Sequence, residues 1–312
     1  MLKTLVTKLF IFFILLIALD FVIGGSIKKA YFSQNHGAYY RATYVLETAK
    51  PDIMILGSSK AVHHYISTLI QDSTKNSCYN GGRNGCFINY SNAATNCILK
   101  RYSPKILVLD VLDDEFEESS YNVHDKVSSL FPYYHDHPEI RNIVDLKSPF
   151  EKYKLLSGMY TFNTLLLPSI TGTLDLSKKK GAETPLLGYL PFFDHWSGEM
   201  KIVDSRKEKL SFIKIQALKN IVDSCRVKQV KLIFIISPTY KKFVQEFNPT
   251  ADLTKRIADS AHIPFWNYLE DTTFLNNRSY FEDIRHLNNS GTLIFTKDII
   301  RRLNNFSSFG EK

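Results

Sequence analysis

Three short stretches of the chain carry residue types that could do acyl chemistry. Gly57-Ser58-Ser59 closes an apolar run, Asp52-Ile53-Met54-Ile55-Leu56, and opens a helical pattern. A serine on such a turn is exposed, and its own backbone N–H can help bind an oxyanion. The same tripeptide is also ordinary strand-to-helix turn and cap chemistry. Asn80-Gly81-Gly82-Arg83-Asn84-Gly85 follows a second short run. Its glycines let the backbone approach a ligand closely, and they serve equally in a simple turn. Asp283-Ile284-Arg285-His286 sets a carboxylate three residues before a histidine. A carboxylate so placed can hydrogen-bond the ring, fix its tautomer and support the imidazolium formed when the ring takes a proton. Each stretch alone is common. Together they supply a nucleophile, a backbone donor and a supported base.

The elements that must position these residues read as an alternation of strands and helices. Residues 52–56, 77–80, 105–111 (KILVLDV), 230–237 (VKLIFIIS) and 264–268 read as short strands. Helical patterns cover Lys60 to Asp72, Ile88 to Arg101, Leu210 to Cys225, Thr254 to His262 and Ser290 to Leu303, the last behind an Asn288-Asn289-Ser290-Gly291 start signal. Five strands alternating with helices predict a parallel sheet covered on both faces. Ligand sites in open α/β sheets lie beyond the carboxyl ends of the strands, and the candidate residues fall at such ends.

The order of the three stretches resembles the SGNH/GDSL hydrolase family, in the GSS-type variant of exported bacterial proteins. The resemblance covers about residues 51–115 and 229–303. It implies a flavodoxin-like three-layer sandwich around a five-stranded parallel sheet. It also implies Ser59 as nucleophile, since Gly57-Ser58-Ser59 stands where the family has Gly-Asp-Ser, and Gly85 as the glycine whose N–H joins that of Ser59 at the oxyanion. Asp283 and His286 match the family's Asp and His. The family's third block has an asparagine after strand three, a side-chain oxyanion donor, whereas Asp114 stands at that position of Val111-Leu112-Asp113-Asp114-Glu115. An ionised carboxylate repels an oxyanion, and losing one such donor costs about 10²–10³ in rate. Asn84, next to Gly85, is a candidate substitute donor. The implied activity is deacylation or acyl transfer at O-acyl, notably acetyl, groups of an extracytoplasmic glycan, with a membrane acyltransferase as a conceivable partner and no cofactor. A catalytically weak or inactive binding or assembly protein of the cell envelope is the alternative, and Asp114 is the feature that favours it.

Other residues bear on substrate and location. His63 would lie one helical turn after Ser59 on the same side, where it either packs or touches substrate. His135-Asp136-His137 offers two histidines without a third ligand nearby in sequence, so no metal is expected. Cys78, Cys86, Cys97 and Cys225 have no C-x-x-C spacing. Cys86 and Cys97, taken as one helix, would be ~16 Å apart, too far for a disulfide. The stretch 115–206 breaks the alternation. It is rich in aromatics and prolines, and reads as a mostly helical insertion whose rings form either a small lid core or a sugar-stacking cleft.

The net charge of +8 is scattered, with Lys178-Lys179-Lys180 the one tight run, so nucleic acid is not the expected partner. From Leu5 to Ile23 the chain is almost continuously apolar, interrupted by Thr7, Lys8 and Asp20. Nineteen residues of helix span ~28 Å, about one hydrocarbon core. Residues 1–29 therefore read as a signal anchor, with a cleaved signal peptide as the rival. Either exports the α/β domain, 51–312, behind a linker and short helix at 30–50.

Overall fold

A computed structural model describes residues 2–118, 126–162 and 186–308. The lysine run at 178–180 lies outside them. The chain opens with a long helix, α1 (Leu2–Phe32), whose most apolar 18-residue window has a mean hydropathy of 2.6 and none of its residues buried. By length and composition this helix can cross a membrane or serve as a signal sequence. It runs past residue 29, and Tyr31 is buried against Tyr133, Tyr39 and Phe162. After α2 (Gly37–Thr43) and a π-helical turn at Tyr44–Thr48 come β1 (Ile53–Gly57), α3 (Ser59–His64), α4 (Ser67–Thr74), β2 (Cys78–Asn80), α5 (Ile88–Arg101) and β3 (Ile106–Asp110). A stretch of short turns contains α6 (Arg141–Val144), α7 (Glu151–Lys154) and α8 (Gly158–Phe162). Then follow β4 (Lys201–Val203), α9 (Phe212–Val227), β5 (Lys231–Ile236), β6 (Lys241–Phe243), α10 (Pro249–Ala261), β7 (Phe265–Asn267), α11 (Thr272–Leu275) and α12 (Asn289–Ser308).

The main sheet is five-stranded and wholly parallel, in the order β2-β1-β3-β5-β7. Successive side chains of a strand point to opposite faces, and both faces of the sheet's centre are covered, which is why β1, β3 and β5 read as nearly unbroken apolar runs. Met54, Leu56, Leu107, Leu109, Phe234 and Ile236 face α5 and α9. Ile53, Ile55, Ile106, Val108, Ile233 and Ile235 face α12 through Phe295, Ile299 and Leu303. In register, Gly57 pairs with Asp110 and Asp110 with Ile235, so the carboxyl ends of the three central strands lie together.

The structure departs from the expected elements in several places. The single helix expected from Lys60 to Asp72 is broken at Tyr65-Ile66, because other groups take up the backbone there. Asn80 Nδ2 donates to the Ala61 and Tyr65 carbonyls, and the Ile66 N–H donates to Thr296 Oγ1. Helix α10 starts five residues before Thr254, where the Asn248 side chain accepts from the Ala251 N–H and Pro249 occupies the first turn. A second sheet, β4 paired in parallel with β6, was not anticipated. Cys86 precedes α5 rather than sharing it, and all four cysteines are free and buried.

Beneath the carboxyl ends lies a buried charge cluster. Lys60 is 0% exposed, and its ammonium donates to the Ser237 carbonyl at 2.6 Å and lies 3.8 Å from Asp113. Asp113 also accepts from Lys241 at 2.5 Å. Burial alone would raise the Asp113 carboxyl, but Lys241 and Lys60 hold it at about 2. Burial lowers the Lys60 ammonium, and Asp113 and Asp110 oppose that. Removing one partner of a buried pair leaves an uncompensated charge, at a cost of about 3–5 kcal/mol. Asp113→Leu strips both lysines of their shared carboxylate and is therefore expected to lower the unfolding free energy by about that amount in denaturant titrations. A loss below about 1 kcal/mol, the scale of exposed pairs, would contradict the cluster's structural role.

Candidate active site

Ser59 stands at the first position of α3, directly after Gly57 and Ser58. Gly57 has φ +150, and a Cβ there would meet the Asp110 carbonyl oxygen at 2.7 Å. Only glycine allows so sharp an exit from β1 beside β3. As the first residue of a helix, Ser59 has no carbonyl four residues back for its N–H.

His286 arrives from the far end of the chain. Its Nε2 accepts from Ser59 Oγ at 2.7 Å, and its Nδ1–H donates to Asp283 Oδ2 at 2.8 Å. The other carboxylate oxygen of Asp283 accepts from the N–H groups of Arg285 (2.6 Å) and His286 (2.9 Å), so the turn holds the carboxylate in place beside the ring. Burial would raise the Asp283 carboxyl, but the bond from His286 and these backbone donors hold it at about 2. The His286 side chain is 16% exposed and that of Asp283 43%. Behind them His64 is fully buried. Its Nε2 accepts from the Leu287 N–H at 2.9 Å, which leaves Nδ1–H to donate to Ser237 Oγ at 3.0 Å. Burial and the neighbouring Lys60 and imidazoles keep His64 well below the ordinary histidine range. This neutral ring ties the Asp283–His286 turn to α3. Asn288 fastens the other side, its Oδ1 accepting from the N–H groups of Ser290 and Gly291 at the start of α12.

The glycine loop is pinned to β1 and α3. Gly81 N–H donates to the Ile55 carbonyl, Arg83 N–H to that of Gly57, and Gly82 N–H to Asn80 Oδ1. A Cβ on Gly82 would meet the Val62 backbone nitrogen at 2.7 Å, so the loop lies directly on α3. Gly85 takes a left-handed φ of +68. Asn84 stands close to His63, whose ring lies beside His286.

His63 lies beside His286, with ring centroids 5.6 Å apart. Its Nδ1–H donates to the Leu190 carbonyl at 2.7 Å, and its face stacks on Phe192 at 3.9 Å. Burial lowers it to about 4, so it is neutral at ordinary pH. Phe192 also packs edge-on to His286 at 5.8 Å. Residues 186–196 thus cross the site as a strap, fastened by Asn80 N–H to Leu187, Leu190 N–H to Val62, Asn289 N–H to Phe192 and Trp196 N–H to Phe281 carbonyls. The other aromatics of the 115–206 stretch divide. Phe131, Tyr133 and Phe162 are buried core, while Phe193 is exposed.

Asp114 is not aimed at an oxyanion as a bare charge. Its carboxylate takes both guanidinium nitrogens of Arg285, at 2.6 and 3.3 Å. Arg285 sits inside the Asp283–His286 turn, so the pair links the end of β3 to the base. Arg285→Ala is expected to reduce turnover more than Asp114→Asn does. The double variant should recover part of the loss, with a coupling of about 0.5–3 kcal/mol from a double-mutant cycle. Strict additivity would show that the pair plays no part in the site.

Among the described residues one histidine, cysteine and carboxylate grouping is compact enough for a metal ion: Cys97, His137 and Glu139. The sequence shows no third ligand near His137, because Cys97 comes from α5. His137 Nδ1 bonds Glu139 at 2.7 Å and Nε2 bonds Glu47 at 2.8 Å. Bonds to Cys97, Glu47 and Glu139 push His137 up to about 11, which favours a charged, ion-paired ring. His135 stands apart, bonded to the Leu155 carbonyl.

Lys60, Phe192 and Arg285 are the residues that sequence reading passed over. Arg285 and Lys60 stand inside or beside quoted motifs, whereas Phe192 had only composition to mark it.

No family model and no curated protein matches the sequence. Among solved structures the chain is similar to a Bacteroides fragilis protein assigned provisionally as an acylhydrolase. The two share 13% identity with a TM-score of 0.41, over 85% of this chain and 94% of that one.

Proposed function

We propose that this protein is a serine-dependent esterase or O-acyltransferase that works through Ser59, His286 and Asp283. The observation that carries the reading is the unbroken hydrogen-bond chain from Ser59 Oγ through His286 to Asp283, at 2.7 and 2.8 Å. His286 Nε2 takes the Ser59 proton as Oγ attacks the ester carbonyl carbon. The N–H groups of Ser59 and Gly85 receive the oxyanion. The tetrahedral intermediate collapses as His286 protonates the leaving alcohol, which leaves an acyl-Ser59 ester. Water, deprotonated by His286, then releases the carboxylic acid; a second alcohol in the same place completes a transfer.

The partly exposed triad supports hydrolysis, since transfer needs a site that keeps water out. The substrate class, an O-acyl and notably O-acetyl group on an extracytoplasmic glycan, rests on the SGNH resemblance and on the apolar α1, which fits an exported, tethered domain. His63 and Phe192 would then border the acyl-bearing hydroxyl. The rival binding-protein reading drew on the charge of Asp114, and the Arg285 pair weakens it. The test uses the full chain in detergent with p-nitrophenyl acetate and with an O-acetylated polysaccharide. Acetate release from both is expected. A folded protein that releases none from either would overturn the reading.

A further inference from the structure

The α1 helix is clamped to the domain at a defined depth. Asp20 lies inside its apolar stretch, and its carboxylate accepts from Ser157 Oγ (2.6 Å) and from the N–H groups of Gly158 (2.7 Å) and Met159 (3.1 Å). One turn further on, a Cβ on Gly24 would come within 2.6 Å of the Gly158 backbone, so the two chains touch there. Asp20 stands three residues before the end of the apolar stretch at Ile23, ~4.5 Å along the helix axis. The start of α8 therefore sits within a few ångströms of the level at which α1 would leave the hydrocarbon.

The side chains flanking this clamp have the wrong character for water. Phe150 is 63% exposed, Tyr153 60%, Leu156 68% and Met159 43%, in one ten-residue stretch. Lys152 and Lys154 alternate with them; the Lys152 ammonium lies 4.9 Å from the Tyr153 ring centre, and Lys154 pairs with Glu151. Exposed apolar groups, an aromatic and lysines at the end of an apolar span are the composition of a membrane–water interface. Phe21 and Val22, also exposed, continue the apolar surface onto α1.

We propose that residues 150–159 are seated in the interfacial layer of the bilayer that α1 spans, with Phe150, Tyr153, Leu156 and Met159 among the upper acyl chains and Lys152 at anionic headgroups. The domain is then held at two points, and its attitude to the membrane is fixed rather than free. This rests on α1 spanning the bilayer and is independent of the chemistry at Ser59.

The test places nitroxide labels on cysteines introduced into the full chain, one per variant, at Tyr153, Leu156, Met159, Phe13 and Val227. The protein is reconstituted in vesicles of phosphatidylethanolamine and phosphatidylglycerol, with the unsubstituted chain as the labelling control. Collision with oxygen against a water-soluble nickel complex reads the depth of each label. Labels at 153, 156 and 159 are expected to shift from the aqueous value at Val227 toward that of mid-span Phe13. Aqueous values there with Phe13 in lipid would overturn the seating alone. An aqueous Phe13 would remove the span, and the proposal with it.

Discussion

Ser59→Ala is expected to abolish ester turnover, lowering kcat by roughly 10⁴–10⁶-fold, the scale on which a triad nucleophile is lost. The change removes one oxygen at the head of α3 and little else. The Ser59 N–H stays, His286 keeps its bond to Asp283, and the buried cluster under Lys60 is not touched. KM should therefore change far less than kcat, and any residual rate would come from backbone donors acting on water alone. Steady-state kinetics on p-nitrophenyl acetate read both parameters. A variant retaining more than about a tenth of wild-type kcat would place the chemistry elsewhere, since general-base help alone supplies about 10²–10⁴.

Asp283→Asn should cost about 10⁴-fold in kcat with the fold intact. The reason is visible in the turn. One carboxylate oxygen accepts from the Arg285 and His286 N–H groups, and the other faces ring Nδ1. In the asparagine variant those two donors hold the amide oxygen, which turns the amide NH₂ toward the ring. Nδ1 must then accept, the ring proton moves to Nε2, and that nitrogen can no longer take a proton from Ser59. Because Asp283 is held at about 2, its loss of charge should leave no inflection in the wild-type rate profile above pH 3. A variant with near-normal kcat, or a wild-type step assigned to Asp283 near neutrality, would contradict this account.

Much of the frame was legible because its causes are local. Strands buried on both faces have no polar alternation, so Ile53–Leu56 and Leu232–Ile236 stand out as apolar runs. The α5 limits, Ile88 and Arg101, agree with the periodic pattern. The Asp283–His286 hydrogen bond follows from a three-residue spacing. What stayed hidden depends on partners far away in the chain. The break at Tyr65 needs Asn80 and Thr296. The three-residue strands of the β4–β6 pair carry almost no pattern. Asp114 looked like an obstacle until Arg285, 171 residues on, was placed against it. His137 seemed to lack company until Cys97 and Glu47 arrived from other elements. Asp20, a blemish in an apolar helix, proved to be the point at which that helix holds the domain.

An activated Ser59 reacts with a fluorophosphonate probe whatever the natural substrate is. The full chain would be treated in detergent and the adduct mapped by mass spectrometry. A single phosphonylated residue, Ser59, is expected, with labelling lost in His286→Ala. A folded protein that takes no label, or takes it on another serine, would contradict that role for Ser59.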